Sequence, residues 1–158
     1  INKNRIWFCG NGGSAADAQH LAAEFSGRFY LNRTALPAEA LHCNTSYLTA
    51  VANDYSFDEI YARLVEGLCE KGDILIGLST SGNSKNIINA LRAAKRNGLS
   101  TMALVGFDGG EAKDLAQISV HVKSNNYGIV EDCHQIIMHM MAQHIRKSNA
   151  IDPKSIKL

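Results

Sequence analysis

Four hydroxyl side chains stand within six residues in Ser79-Thr80-Ser81-Gly82-Asn83-Ser84, directly ahead of a helical pattern running from Asn86 to Asn97. Hydroxyls donate hydrogen bonds without adding charge. The first turn of a helix leaves N–H groups unpaired and carries the positive end of the macrodipole. Together these make a cradle for a phosphate group. The same serines could serve only to build a turn and cap the helix, but so many hydroxyls at one strand-to-helix junction favour the cradle.

A second turn of the same kind is Gly10-Asn11-Gly12-Gly13-Ser14. Its glycines let backbone N–H groups come close to a ligand, and Ser14 offers a hydroxyl at a helix start. Asn11, Gly12, Gly13 and Ser14 are therefore candidate binding residues. A dinucleotide fingerprint does not fit: Gly10 and Gly12 match its first two positions, but three residues beyond Gly12 stands Ala15. No acidic residue ends the second strand where a ribose would need one.

Two groups of acid/base side chains complete the inventory. His20 and Glu24 are four residues apart and project from one helix face. Surface pairs of this kind are common, yet this helix leaves the glycine turn and is otherwise rich in alanine. Near the end of the chain come Glu131, Asp132, His134 and His139. Imidazoles and carboxylates converging on one point can bind a divalent metal or act as general base and acid; the spacing leaves both open. Glu131 and His139 lie roughly 12 Å apart along an ideal helix. They could share a metal only through an irregular helix start or a neighbouring subunit.

The elements that must hold these residues alternate. Strands are expected at Arg5–Cys9, Ala38–His42, Ile74–Leu78, Thr101–Val105 and Ile118–Val122. Helices are expected at Ala15–Phe29, Tyr47–Val51, Phe57–Glu70, Asn86–Asn97, Gly109–Leu115 and Ile129–Arg146, with Asn53–Ser56 as a loop. Gly72 and Gly98 read as helix stops. This alternation predicts a parallel sheet covered on both faces, α/β in class, with ligands bound beyond the strand C-termini. Both glycine-and-serine turns fall at that edge and should line one site.

The 158 residues suffice for a single domain with a full core, with a polar tail from about 148 to 158. Sixteen basic against fifteen acidic residues leave a net charge of +1, so nucleic-acid binding is disfavoured. No apolar run approaches the length of a membrane span, and no signal peptide is visible. Cys9, Cys43, Cys69 and Cys133 show no pairing pattern. Three lie in apolar segments and read as buried free thiols, which suits a reducing cytoplasm.

The run Gly10 to His20, the stretch Glu24 to Arg28, Asn53-Asp54 and Ser79 to Ser84 resemble the sugar isomerase (SIS) domain family, and within it the phosphoheptose isomerases. The resemblance runs from about Arg5 to Arg146. It implies a three-layer α/β/α fold with a five-stranded, flavodoxin-like parallel sheet. It further implies a homotetramer with sites at subunit boundaries, a phosphorylated sugar as ligand, and zinc. By position, Ser79, Thr80, Ser81 and Ser84 hold the phosphate, while Ser14 and Asp54 contact the sugar chain. Glu24 and His139 correspond to the acid/base pair and, with His20 and Glu131, to metal ligands. The implied activity interconverts sedoheptulose 7-phosphate and D-glycero-D-manno-heptose 7-phosphate through an enediol. The alternative is a non-catalytic SIS protein that binds a sugar phosphate or a protein partner as a regulator. Two departures stand out. Where the family opens its last helix with Arg-Ile-Gln-Glu, this chain reads Ile129-Val130-Glu131-Asp132, and Gly128 replaces a common acidic residue. Members also carry a helical segment ahead of the first strand that has no counterpart in these residues.

Overall fold

A computed structural model describes residues 4–30 and 32–149. Five strands form one parallel sheet: β1 (Ile6–Cys9), β2 (Ala38–Ala40), β3 (Ile74–Ser79), β4 (Ser100–Val105) and β5 (Ile118–His121), in the order β2-β1-β3-β4-β5. The helices are α1 (Gly13–Ser26), α2 (Thr45–Asp54), α3 (Ile60–Leu68), α4 (Lys85–Arg96), α5 (Gly110–Leu115) and α6 (Tyr127–Asn149). Period-two alternation divides the strand side chains between two cores. Trp7, Cys9, Leu75 and Val105 pack under α3 and α4 with Tyr61, Ile87 and Leu91. Phe8, Ile76, Leu78 and Leu104 pack on the opposite face with Leu21 and Phe25 of α1 and Met138 and Ala142 of α6. A parallel sheet covered on both faces needs such near-continuous apolar strands.

The strand order reverses direction between β1 and β3, which are paired in register from Ile6↔Ile74 to Cys9↔Gly77. From β1 the chain passes through α1 to one side of the sheet, and from β3 through α4 to the other. The crevice beyond these two strand ends is the switch point where such folds take ligands. Gly10–Ser14 and Ser79–Ser84 flank it.

Several boundaries differ from expectation, each for a local reason. Helix α1 stops at Ser26 instead of Phe29, because Gly27 follows and the Arg33 guanidinium takes the Glu24 and Phe25 carbonyls at 2.8 and 2.9 Å. Helix α2 is longer than predicted and absorbs Asn53 and Asp54; Asn44 starts it by accepting the Tyr47 N–H at 3.0 Å. The stretch 57–70 is split into a 3₁₀ turn (Phe57–Glu59) and α3, which ends at Leu68. Gly72, at φ 94°, turns the chain into β3 rather than stopping the helix. The chain after Ala40 tightens into a 3₁₀ turn (Leu41–Cys43) instead of extending β2. Helix α6 starts early because Asn126 accepts the Ile129 N–H at 3.2 Å, and it runs on through Asn149. The remainder of the expected tail, 150–158, lies outside the described residues. All four cysteines are free, but only Cys9 is buried; Cys43 is exposed and Cys69 and Cys133 are half-buried. Among the described residues no helix is long and apolar enough to cross a membrane.

Candidate functional site

Strand β3 ends on Ser79, which is buried and donates its hydroxyl to Ser84 Oγ at 3.1 Å. The chain then turns sharply: the Gly82 N–H returns to the Ser79 carbonyl at 3.0 Å. Gly82 sits at φ 68°, and a Cβ there would lie 1.9 Å from the Gly109 carbonyl oxygen. Only glycine passes this point. Ser84 holds the N-cap position of α4 by backbone conformation, yet its hydroxyl makes no capping hydrogen bond. The serines are therefore not consumed by capping, and their hydroxyls edge a cavity.

That cavity is about 330 Å³. One side is Leu78, Ser79, Thr80, Ser81 and Ser84; facing it are Asn11, Gly12, Gly13 and Ser14; Tyr127 and Glu131 of α6 close the third side. Two helix N-termini, of α1 and α4, thus meet at one volume, a favourable place for an anion. The first turn is held from behind by the buried Tyr61 hydroxyl, which donates to the Gly10 carbonyl. From the side it is held by Asn11, whose amide pairs reciprocally with that of Asn86.

A second group lies further along α1. His20 Nε2 is 3.1 Å from Glu24 Oε1, His139 Nε2 is 3.4 Å from the same oxygen, and the two imidazole nitrogens are 3.4 Å apart. The packing of α1 against α6 brings His139 to this point, and the Phe29 ring stacks on it at 6.0 Å. Glu24 Oε2 is buried and has no hydrogen-bond partner. Three donor atoms within 4.8 Å of one another, from two imidazoles and a carboxylate, match a zinc ligand set. The orphaned carboxylate oxygen fits either a cation or a substrate proton.

The last helix sends Glu131, Asp132, His134 and His139 to different places, as the roughly 12 Å between Glu131 and His139 along an ideal helix requires. His139 joins Glu24, whereas Glu131 lines the cavity, its carboxylate set against Gly13. Glu131 is thus outside the three-residue group expected to include it. Asp132 is exposed. His134 is fully buried against the sheet, with neither ring nitrogen in a well-formed hydrogen bond. Burial lowers its pKa, with the Val105 backbone and Glu131 pulling partly back. Asp54, expected to contact the sugar, ends α2 as an exposed residue, accepts from Asn53 Nδ2 at 2.8 Å and lines no part of this cavity.

Residues not singled out from sequence also belong here. Asp17 stands one turn before His20. Its carboxyl is pushed up by burial and by the Glu131 carboxylate, and pulled partly back by His20. Its signal was available as the i, i+3, i+7 series Asp17, His20, Glu24. Tyr127 meets the Phe107 ring edge-on, with centroids 4.8 Å apart, at the cavity wall. Phe107 has φ 50°, and no local sequence signal marks it.

The SIS domain family model matches residues 1–106. A phosphoheptose isomerase of a Nitratiruptor species is 50% identical over 147 residues, covering 93% of this chain and 79% of the relative. The structure of a phosphoheptose isomerase from Neisseria gonorrhoeae superposes with a TM-score of 0.87 at 40% identity, covering 92% of this chain and 78% of that one. One from Francisella tularensis gives 0.85 at 34%, covering 89% and 75%. The chain belongs to the SIS domain family, among the phosphoheptose isomerases.

Proposed function

We propose that this SIS-family chain is an aldose–ketose isomerase that interconverts sedoheptulose 7-phosphate and D-glycero-D-manno-heptose 7-phosphate, acting in the cytoplasm toward heptose for surface polysaccharide. One observation carries the chemical part of this reading. Glu24 presents a buried, unpartnered carboxylate oxygen beside two imidazoles, ten residues beyond a turn that faces the hydroxyl cradle. A phosphate seated against Ser79, Ser81 and Ser84 leaves the sugar chain to run along α1 toward Glu24. Ten helical residues rise about 15 Å, and the side chains of α1 lean back toward its N-terminus, so the Glu24 carboxylate lies nearer the cradle than that rise. Ser14 contacts the chain on its way, and Thr80 adds a donor to the cradle. Asp54, remote within one chain, is proposed to serve a neighbouring subunit's site in a homotetramer.

The reaction moves one proton between adjacent carbons. Glu24 takes a proton from C1 of the ketose, and the C–H electrons form the C1=C2 bond of a cis-enediolate. His139 donates a proton to O2 as charge develops there. His139, now deprotonated, takes the O1 proton as the C1 carbonyl forms, while C2 takes the proton back from Glu24. Atoms balance without an external oxidant or reductant. His20, 3.1 Å from Glu24, orients the carboxylate. His20, Glu24 and His139 would hold a zinc ion, with Glu131 as a fourth ligand only if its side chain leaves Gly13. Such an ion supplies positive charge for the developing enediolate oxygen. Phosphate binding contributes positioning energy remote from the reacting carbons.

The test is direct. Purified protein incubated with sedoheptulose 7-phosphate in deuterated buffer should yield aldose by proton NMR, with solvent deuterium entering at C2. Tight binding of the sugar phosphate with neither aldose nor deuterium incorporation refutes the activity and identifies a non-catalytic binding protein.

A further inference from the structure

Asn11 was expected to meet a ligand, but its side-chain amide is engaged elsewhere. Asn11 Nδ2 donates to Asn86 Oδ1 at 2.9 Å, and Asn86 Nδ2 donates back to Asn11 Oδ1 at 2.8 Å. Asn86 lies in the first turn of α4, is 2% exposed and does not line the cavity. Its Oδ1 also accepts the Ile87 N–H at 3.0 Å, which fixes which way the amide faces. Two antiparallel hydrogen bonds between planar amides restrain both distance and rotation; a single bond would leave a hinge. The pair joins segments 75 residues apart, across the gap between β1 and β3 where the ligand crevice opens. On the far side of the same turn, the buried Tyr61 hydroxyl bonds the Gly10 carbonyl. The turn is gripped from two directions.

We infer that Asn86 is a positioning residue: by gripping Asn11 it sets the separation between the Gly12–Ser14 turn and the hydroxyl cradle. That separation governs where the sugar chain of a phosphate-anchored substrate passes along α1, and so how its reacting carbons meet Glu24. The consequence for rate rests on the isomerase reading proposed above; the clamp itself does not. Asn86 touches neither the cavity nor the acid/base group, so it acts through its contacts: the Asn11 pair and the Ile87 N–H, which the double variant tells apart.

The experiment compares Asn86→Ala, Asn86→Asp, Asn11→Ala and the double alanine variant. In folded Asn86→Ala, kcat for sedoheptulose 7-phosphate should fall on the order of 10- to 100-fold, the cost of a misplacement near 1 Å. Inorganic phosphate, which needs only the cradle, should bind almost as in wild type. Asn86→Asp keeps the acceptor for Asn11 Nδ2 but sets an oxygen against Asn11 Oδ1, so it should also be slow; it stands in if the alanine variant does not fold. The double variant should be no slower than Asn11→Ala alone. Wild-type kcat and KM in a folded Asn86 variant would overturn the inference. So would additive losses in the double variant. If wild-type protein fails to turn over the sugar phosphate, the activity reading falls by itself and the clamp is judged by hydrogen exchange. The Ala15 and Ala16 amides bond the Gly12 carbonyl at 3.1 and 3.2 Å. Faster exchange there in Asn86→Ala supports the clamp, and unchanged exchange overturns it.

Discussion

Glu131 stands in a helix start where the family resemblance implies Gln, and its carboxylate lines the cavity proposed to take phosphate. Replacing it with Gln removes one negative charge while keeping size and shape. A cavity of about 330 Å³ lined by both groups makes a charge separation on the order of 8 Å a fair working value for Glu131 and a phosphate on the opposite hydroxyls. At an effective dielectric near 20, two unit charges about 8 Å apart repel by roughly 2 kcal/mol. Screening at 0.1 M salt roughly halves this. A phosphate group carrying about −1.5 to −2 therefore meets roughly 1.5–2 kcal/mol of repulsion from Glu131, in metal-free protein.

Glu131→Gln should accordingly tighten inorganic phosphate binding on the order of 10- to 30-fold. Titration calorimetry on chelated protein at low and high salt is the assay. The gain should shrink as salt rises, because the interaction is Coulombic and partly exposed to solvent. Unchanged or weaker binding, or a gain indifferent to salt, would refute the placement of phosphate opposite Glu131. Full stability of the variant is expected, since Glu131 makes no hydrogen bond that Gln could not replace.

Glu24→Gln and His139→Asn should each slow turnover by roughly 10²–10⁴, the usual worth of a positioned acid or base, while phosphate binding persists; wild-type deuterium exchange in both would sink the mechanism. Elemental analysis of protein purified without chelator should find zinc near one per chain, and His20→Ala should lower that content. Gly82→Ala should unfold the cradle: the left-handed backbone alone costs about 1–2 kcal/mol, and the Gly109 carbonyl leaves no room for a Cβ. A wild-type melting temperature and phosphate affinity would contradict that geometry. Burial holds His42 and His134 below the ordinary imidazole value of 6.5, so the unfolded chain binds more protons and stability should fall as pH drops below that value. His134→Leu, which removes no well-formed hydrogen bond, should flatten the part of the loss due to His134 in thermal melts between pH 7 and 5. Asp73 acts lower still. Burial raises its carboxyl, but donors from Glu70, Arg5, Trp7 and Asn4 outweigh that and bring it below 3.8, so its contribution is lost only as pH falls under that value.

The layers of the fold were legible because a doubly covered parallel sheet writes itself as short apolar runs between glycine stops. Helix ends were less so, since distant groups set them. Arg33 closes α1 from a later loop, and no periodicity in residues 15–29 could show it. The cradle was legible as a local run of hydroxyls, and His20 with Glu24 as a helical spacing. His139 required the packing of α1 on α6 across 119 residues, which only the family resemblance supplied. Asn86 read as one more polar residue in a helix start; its partner is 75 residues away. On the last helix, two carboxylates and two imidazoles in nine positions read as one group of acid/base side chains. The helical turn instead sends Glu131 to the cavity, His134 into the core and His139 to Glu24.

The two halves of the proposed site obtain their geometry from different sources. The cradle is shaped by backbone: positive φ at Gly12 and Gly82, two helix starts, and a turn pinned by Tyr61 and Asn86. The acid/base group is shaped by side-chain packing. Leu21, Phe25, Met138 and Ala142 lock α1 against α6 and the sheet, and the histidines and Glu24 stand at the edge of that contact. Helix α1 belongs to both, its N-terminus in the cradle and its second and third turns carrying His20 and Glu24. A helix is stiff along its axis, so the separation of the glycine turn from Glu24 is set by residue count, while the separation of that turn from the hydroxyl cradle is set by the contacts between the two loops.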